Sequence, residues 1–458
     1  MKIVVLNGSP KGQTSVTMQY VRYIEQRFPQ HDFTFVDIAN QLRKIEGNEE
    51  TFRDVMDGVR ASDGVLWAFP LYVFLVHANY KRFIELIWEG GDQGVFAGKY
   101  GASLSTSIHF FDHAAHNYVH AICDDLGMRY TGAFSAEMQD LLHDEGQAHL
   151  LLFAEDFFKA IEERRPASRR YAAVVHRAMD YAPGATPQPI DGGDQKVVVV
   201  TDGTPDQTNL SRMVERFQAA FAQEVAMINL HDLDIKGGCL GCLRCAHDYQ
   251  CAYTGRDEYI PFYNDKLKAS DIIVFAGAIH DRYLSATWKQ FFDRSFFNTH
   301  TPSLIGKQFG FVISGPLSQI PNLRQILQAY VEWQQSNLVG FVTDEFGDSA
   351  HIDSLLQSLA ERLLRLAERD YRAPATFLGE GGMKIFRDDV WGRLRSVFQA
   401  DHRAYKRMGI YDFPQRDLGV RLMNAVLVPL LKVPRIREAF VARIQEGMVQ
   451  RYKRVVDA

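Results

Sequence analysis

The chain has 458 residues and a formal net charge of −5 at pH 7, with 46% hydrophobic and 23% charged residues. That length exceeds one ordinary domain, and the composition excludes a disordered chain, a collagen-like repeat and a disulfide mini-protein. Five cysteines are too few for a secreted disulfide scaffold of this size, yet Cys239, Cys242, Cys245 and Cys251 fall within thirteen residues.

Met1–Gly8 is too short an apolar run for a signal peptide and no small-residue cleavage site follows it, so a cytoplasmic protein with reduced thiols is expected. No apolar stretch reaches the ~18–20 residues of a membrane span; Leu422–Leu431 is interrupted by Asn424 and Pro429. Ile3–Leu6 is a short continuous apolar run, the mark of a strand buried on both faces of a parallel sheet. A turn rich in Gly, Ser, Thr and Pro follows, then a helical pattern. Phe33–Val36, Val65–Ala68 and Ala102–Ser105 are the next candidate strands. Tyr181–Gln195 holds three prolines and three glycines, a linker composition. The pattern restarts at Val197–Val200, with a helical stretch marked by Leu210, Val214, Phe217 and Phe221. Further strands are expected at Val225–Asn229, Ile272–Ala276, Phe309–Ser314 and Val339–Val342. After Arg372 the pattern is mostly helical. Strand–helix alternation with short loops predicts an α/β protein. It has two tandem doubly wound parallel sheets and a helical C-terminal extension, divided as 1–165, a linker at 166–195, 196–371 and 372–458.

The restart is a duplication. Lys2–Pro10 resembles Lys196–Pro205, and Gln13-Thr14-Ser15 matches Gln207-Thr208-Asn209, at an offset of 194 residues. Ser62–Ala68 resembles Ser270–Ala276, and Lys81–Glu85 resembles Lys289–Asp293, at an offset of 208. The second copy is therefore 14 residues longer between its first and third strands, and that interval contains the four clustered cysteines.

In an open parallel sheet, ligands bind beyond the carboxyl ends of the strands, at the switch point of strand order. The loop Asn7–Ser15 lies there. Gly8 and Gly12 let backbone N–H groups turn toward an anion, and Ser9, Thr14 and Ser15 add hydroxyls ahead of a helix N-terminus. The set suits a phosphate, and also an ordinary capped turn. It is neither a Walker loop nor a dinucleotide GxGxxG loop. After the third strand, Pro70-Leu71-Tyr72-Val73 offers apolar walls for a flat aromatic ligand. Ser105, Thr106 and Ser107 open the loop after the fourth strand with three hydroxyls.

Gly8-Ser9-Pro10-Lys11 before a helix, Ser62-Asp63 leading to Pro70-Leu71-Tyr72, and Lys81-Arg82-Phe83 resemble the flavodoxin-like NAD(P)H-dependent FMN reductases. Cys239-x2-Cys242-x2-Cys245-x5-Cys251 resembles the compact cysteine motif of the iron–sulfur flavoproteins in that superfamily. The resemblance spans roughly residues 1–150 and 196–345. It implies two flavodoxin-like domains, with FMN held by Ser9, Pro10, Lys11, Gln13, Thr14 and Ser15, by Pro70–Val73 and by Ser105–Ser107. It also implies electron transfer from NAD(P)H or ferredoxin, and FMN sites at subunit contacts, so that two copies imitate a dimer within one chain. In the second copy the matching positions are Thr204, Gln207, Thr208, Asn209, Ala278, His280, Arg282, Tyr283, Ser314 and Gly315. There Asp206 replaces Lys11, unfavourable beside a phosphate dianion, and the Pro-x-Tyr is missing, while Arg282 offers a substitute positive charge. The sequence leaves open whether one or both copies bind FMN.

Four thiolates are the number a [4Fe-4S] cluster takes, and Gly237, Gly238 and Gly241 allow the tight loop around it. Unligated thiols, a redox disulfide and zinc are the alternatives. Cys123 stands alone and reads as a small buried residue. His280 and Tyr283 are the candidate catalytic proton donors to a reduced acceptor, against packing and ion-pairing roles. His109, His113, His116 and His120 lack the carboxylate pattern of a metal site.

From Asp401 onward 12 Lys or Arg stand against 6 Asp or Glu, so this tail carries +6 and the remainder −11. It reads either as a solvated helical face or as a basic amphipathic segment, Val420–Arg454, touching an anionic membrane. No nucleic-acid motif accompanies the charge. The expected function is an FMN-dependent oxidoreductase. It passes electrons from NAD(P)H through flavin, and through a [4Fe-4S] cluster where one is held, to a small-molecule or protein acceptor. The alternative is a non-enzymatic flavin and iron–sulfur carrier or redox sensor. Homodimerisation fits either.

Overall fold

The computed structural model describes residues 1–185, 188–412 and 417–456; the side chains of 444–451, 453 and 454 also fall outside the description. Parts of the expected linker and of the Val420–Arg454 segment therefore lie outside the described residues.

The apolar runs become strands. β1 (Lys2–Asn7), β2 (Asp32–Val36), β3 (Gly64–Pro70), β4 (Tyr100–Ser107) and β5 (Arg129–Glu137) form an all-parallel sheet in the order β2-β1-β3-β4-β5. β6 (Val197–Thr201), β7 (Val225–Asn229), β8 (Ile272–Ala278), β9 (Gln308–Ser314) and β10 (Asn337–Thr343) repeat it as β7-β6-β8-β9-β10. Both share the winding of flavodoxin-like sheets, with the switch point between the first and third strands. β5 is the strand that the apolar pattern misses. It is an edge strand of mixed, half-buried residues, so no continuous apolar run marks it.

The first sheet is covered by α1 (Val16–Arg27), α2 (Ile38–Gly47), α3 (Glu49–Arg60), α4 (Ala78–Glu89), α5 (Asp112–Asp125) and α6 (Asp144–Glu162). The second is covered by α7 (Thr208–Gln218), the short α8 (Cys245–Asp248) and α9 (Tyr259–Phe262), α10 (Ala286–Ser295), α11 (Pro321–Trp333) and α12 (Ser349–Ala367). The chain closes with α13 (Phe377–Trp391), α14 (Gln399–Met408), α15 (Leu418–Leu430) and α16 (Pro434–Val456). Where the first half runs α2 and α3 between its second and third strands, the second half runs the cysteine segment. The extra length thus falls where the repeat offsets put it. Among the described residues no helix is long and apolar enough to cross a membrane.

Residues 1–402 form one compact unit and 403–458 another, so both sheets belong to one body. The helical extension expected from 372 is divided between the units. In the first, α13 sets Phe386 against Phe110, Trp333 and His300, with ring centroids 5.6, 4.7 and 4.1 Å apart. The expected linker is packed as well: Tyr181 is fully buried, donates its hydroxyl to Asp353, and its N–H bonds Asn209 Oδ1 at 2.9 Å.

The halves meet through α4 and α10, which are equivalent in the duplication. Glu85 Oε1 accepts from the Ala286 N–H at 2.7 Å, and Asp293 Oδ2 accepts from the Ala78 N–H at 2.7 Å. At the 208-residue offset these are one bond made twice. Each carboxylate sits at the N-terminus of the other half's helix, where the helix dipole favours it. Each also pairs with a lysine one turn earlier, Lys81 with Glu85 and Lys289 with Asp293. Both lysines and Asp293 are fully buried and Glu85 nearly so. Such self-complementary pairing is what a two-fold dimer contact requires, here within one chain. A single hydrophobic core runs across it.

Candidate functional site

The loop after β1 lies at the first sheet's switch point. Gly8 is required by close approach, because a Cβ there would meet Phe69 and Tyr80 at 2.9 Å. Ser9 Oγ accepts from the Lys11 N–H at 3.2 Å and Ser15 Oγ accepts from the Met18 N–H at 3.3 Å, capping α1. Among the described residues neither hydroxyl donates, so both keep a proton for an anion. Thr14 Oγ1 donates to the Lys11 carbonyl at 2.8 Å. Asn7 and Gln13 both donate to Asp37 Oδ1, at 2.7 and 2.6 Å, which satisfies the nearby carboxylate. Pro10 turns its carbonyl to Asn40 at 2.7 Å, and Lys11 stays exposed.

β3 continues through Pro70, and Leu71 N–H bonds the Thr106 carbonyl. Tyr72 and Leu75 exchange backbone bonds of 2.8 and 3.0 Å, a turn tight enough to hold Val73 at φ +31° and Phe74 at φ +67°. After β4, His109 and Phe111 take φ +61° and +68°. Such backbone costs roughly 1–3 kcal/mol per residue and tends to cluster where loops shape a ligand site. The expectation for Ser105, Thr106 and Ser107 is corrected. β4 extends to Ser107, so all three are buried strand residues whose hydroxyls meet α1, α5 and the following loop. Ser105 meets His116 Nε2 at 2.8 Å, Thr106 meets Thr17 at 2.7 Å, and Ser107 accepts from the His109 N–H at 3.0 Å. Ser103 meets the other nitrogen of His116 at 2.7 Å. Burial pushes the imidazole down to about 4, so it is neutral at pH 7.

In the second half an open cleft of about 600 Å³ occupies the equivalent place, lined by Met179, Asp180, Asp206, Gln207, Thr208, Asn209, Ala278 and Ser314. Thr204 bonds Asp206, and Gln207 reaches the exposed His280 at 3.3 Å. Asn209 bonds the Met179 carbonyl and Asp344, and Asp344 also takes Ser314 and the Gly315 N–H at 2.7 Å each. These expected residues gather, but two others do not. The Arg282 guanidinium forks onto Asp125 at 2.7 and 2.6 Å and donates to the Ala172 carbonyl, so its charge is spent on the first half. Tyr283 lies in the shared core, 1% exposed, with burial raising its phenol pKa and no hydroxyl partner among the described residues. Its carbonyl accepts from the His280 N–H at 3.1 Å, while its phenol stays in the core. The cleft is acidic: Asp180, paired by Arg212, and Asp206 line it, and Asp344 stands behind. Asp202, at the end of β6, is buried against Trp288 Nε1 at 2.9 Å, and its pKa is raised by burial. Among the described residues no Lys or Arg lines this cleft.

All four clustered cysteines line one pocket, walled by Leu240, Leu243, Tyr253, Phe296 and Phe297, with Arg294 in its wall. The thiols are free, and among the described residues no three His, Cys, Asp or Glu side chains close on a single-ion point. Burial pushes Cys239 up to about 12 and raises Cys245 as well, so these two thiols stay protonated. Arg294 donates to the Gly237 carbonyl at 2.9 Å, forks onto Asp257 and lies over Tyr253 at 4.2 Å.

This segment rests on the first half. His77 Nδ1 accepts from the Asn79 N–H at 3.1 Å, which leaves Nε2–H to donate to the Cys239 carbonyl at 2.8 Å. Burial lowers the His77 pKa and keeps that tautomer neutral. Gly241, at φ +61°, lies so close that a Cβ would come within 2.1 Å of the Tyr72 hydroxyl and 3.1 Å of Lys11 Cε. Lys289 Nζ donates to the Tyr72 carbonyl at 3.0 Å. The cysteine loop of one half therefore covers the loops after β1 and β3 of the other. Sequence reasoning missed His77, for which no pattern signals. It also missed the Lys289–Asp293 pair, whose i,i+4 spacing does signal it.

The family model described as NADPH-dependent FMN reductase matches residues 1–139 and 196–346. Among solved structures, an NADH:FMN oxidoreductase in apo form is 18% identical over 35% of this chain and 89% of its own, with a TM-score of 0.31. An FMN-dependent NADH-azoreductase from Bacillus anthracis, in complex with FMN, is 12% identical over 36% and 99%, with a TM-score of 0.26. An NADPH-quinone reductase from P. pentosaceus is 14% identical over 34% and 96%, with a TM-score of 0.28. No curated protein matches the chain.

Proposed function

Because this chain belongs to the NADPH-dependent FMN reductase family, and is thus a flavin oxidoreductase, we propose that it holds a single FMN, in its first half. In this reading electrons pass from NAD(P)H through that flavin, and through a [4Fe-4S] cluster on Cys239, Cys242, Cys245 and Cys251, to a small-molecule or protein acceptor in the cytoplasm. The observation that carries the reading is the contact of Gly241 with Tyr72 and Lys11. It gives the cysteine pocket a common wall with the first half's loops.

The residues fit both groups. The hydroxyls of Ser9 and Ser15, the ammonium of Lys11 and the N-terminus of α1 would hold the FMN phosphate. Pro70, Leu71, Tyr72 and Val73 would wall the ring. In the second cleft Asp206 takes the place of Lys11, and Asp202 and Asp344 stand close by, so a dianion meets like charge. Bound FMN supplies hydride acceptance from reduced nicotinamide and release of electrons singly or in pairs. The chain's part is to orient it and to exclude water, with Tyr72 and the cysteine loop as cover. Four thiols lining one apolar pocket are the ligand number a [4Fe-4S] cluster takes. The raised pKa values of Cys239 and Cys245 mean that cluster binding would release their protons. With both halves of the two-fold contact in one chain, no second chain is needed to complete the site.

The test is metal and flavin content after anaerobic purification. One FMN and four irons per chain are expected, with a broad long-wavelength shoulder that Cys242→Ser abolishes while FMN stays. Lys11→Glu should weaken FMN binding by roughly 10–100-fold through loss and reversal of one nearby charge, whereas Asp206→Asn should leave it unchanged. Two FMN per chain, or flavin unaffected by Lys11→Glu, defeats the single-site reading. Full flavin with no iron leaves the cysteines as thiols.

A further inference from the structure

α15 has no buried residue although its only charge is Arg421. Leu418 is 74% exposed, Leu422 69%, Val426 57%, Met423 54% and Leu430 45%. At about 100° per residue, Leu418, Leu422, Val426, Leu430, Met423 and Leu427 sweep roughly half the helix circumference, while the other side carries Arg421 and Asn424 together with Val420 and Val428. An apolar arc this wide is not what a solvated helix presents.

Charge decides what covers it. Lys432, Arg435 and Arg437 follow directly, against Asp417 and Glu438. The tail from Asp401 carries +6, with 12 Lys or Arg against 6 Asp or Glu. Residues 1–400 carry −11, with 39 against 50. An anionic surface therefore repels the flavin-binding body and attracts the tail. Thirteen residues make a helix of about 20 Å, short of the ~30 Å hydrocarbon core, so α15 cannot cross a bilayer. It can lie in the plane of one, apolar arc down, with the following Lys and Arg reaching lipid phosphates.

We propose that α15 is an in-plane anchor that docks this oxidoreductase on an anionic lipid surface. The proposal does not depend on where FMN binds.

The test is co-sedimentation of the full chain with vesicles of phosphatidylcholine alone or mixed with phosphatidylglycerol. Binding to the mixed vesicles is expected, roughly tenfold or more weaker to phosphatidylcholine alone and weakened by salt. The double variant Leu422→Glu/Val426→Glu should lose binding to both. Lys432→Glu/Arg435→Glu should lose only the anionic preference. Unchanged thermal unfolding checks that both variants fold. Absence of binding to mixed vesicles, or binding indifferent to Leu422→Glu/Val426→Glu, overturns the proposal. A wild-type dimer that becomes monomeric in that variant also overturns it, since a second copy would then cover the helix.

Discussion

Lys81 and Lys289 occupy equivalent places on α4 and α10, and both are fully buried, yet their pKa values move in opposite directions. Burial pulls Lys81 down, but two carboxylates, Asp281 at 3.1 Å and Glu85 at 2.7 Å, outweigh it and hold the ammonium up. Lys289 has Asp293 and a neutral carbonyl, that of Tyr72, and burial wins. At the 208-residue offset, Asp281 corresponds to Val73. The half whose loop after β3 is proposed to wall the flavin carries an apolar residue there; the other half carries a carboxylate that serves the contact between halves. The helix-to-helix geometry is thus common to both, while the loops beside it have taken up different work.

Asp293→Ala should give the largest effect. It strands Lys289 without a counter-ion and should cost about 3–5 kcal/mol in equilibrium denaturation. Asp281→Ala leaves Lys81 with Glu85 and should cost less than half as much. Equal losses would mean that the two lysines are not distinguished by their partner sets.

A second effect belongs to the first half, through His116. Its folded pKa of about 4 lies below the ordinary 6.5, so the unfolded chain takes up the proton first. The stability gained by keeping it neutral is complete above about pH 6.5 and is lost as pH falls toward 4, up to about 3 kcal/mol. Denaturation midpoints measured across that window should fall with pH in the wild type and flatten in His116→Gln.

The smallest effects compare the caps of α4 and α10. Ser285 Oγ accepts from the Trp288 N–H and donates to Asp202, so Ser285→Ala should cost about 1–2 kcal/mol. His77, its equivalent, caps α4 and holds the cysteine loop. His77→Ala should cost about 1 kcal/mol and also speed alkylation of Cys239, a readout that Ser285→Ala should not move.

The sheets were legible because parallel strands buried on both faces are spelled as unbroken apolar runs, as in Val197–Val200. β5 was not, since an edge strand half open to solvent needs no such run. The turn between β1 and α1 was legible from glycine and hydroxyl spacing around Gly8–Ser15. Ser105, Thr106 and Ser107 were misplaced because nothing local tells a strand's last hydroxyls from a loop's first. Arg282 and Tyr283 were misassigned for a different reason. Their surroundings, Asp125 and the shared core, come from the other half, and a contact across 157 residues leaves no mark in spacing. The same holds for His77 and the cysteine loop.

The reciprocal α4–α10 contact has a consequence for how such a molecule can change. In a true homodimer every substitution is made twice, so a lengthened loop must suit both sites or neither. Once two halves share a chain, one can lengthen a loop, reverse a charge or close a pocket while the other stays as it was. Gly241 lying on Tyr72 is a contact of this kind, one that symmetry would have forced into both halves. The segment Cys239–Cys251 has no counterpart on the other side, and fusion is the condition that lets it exist once.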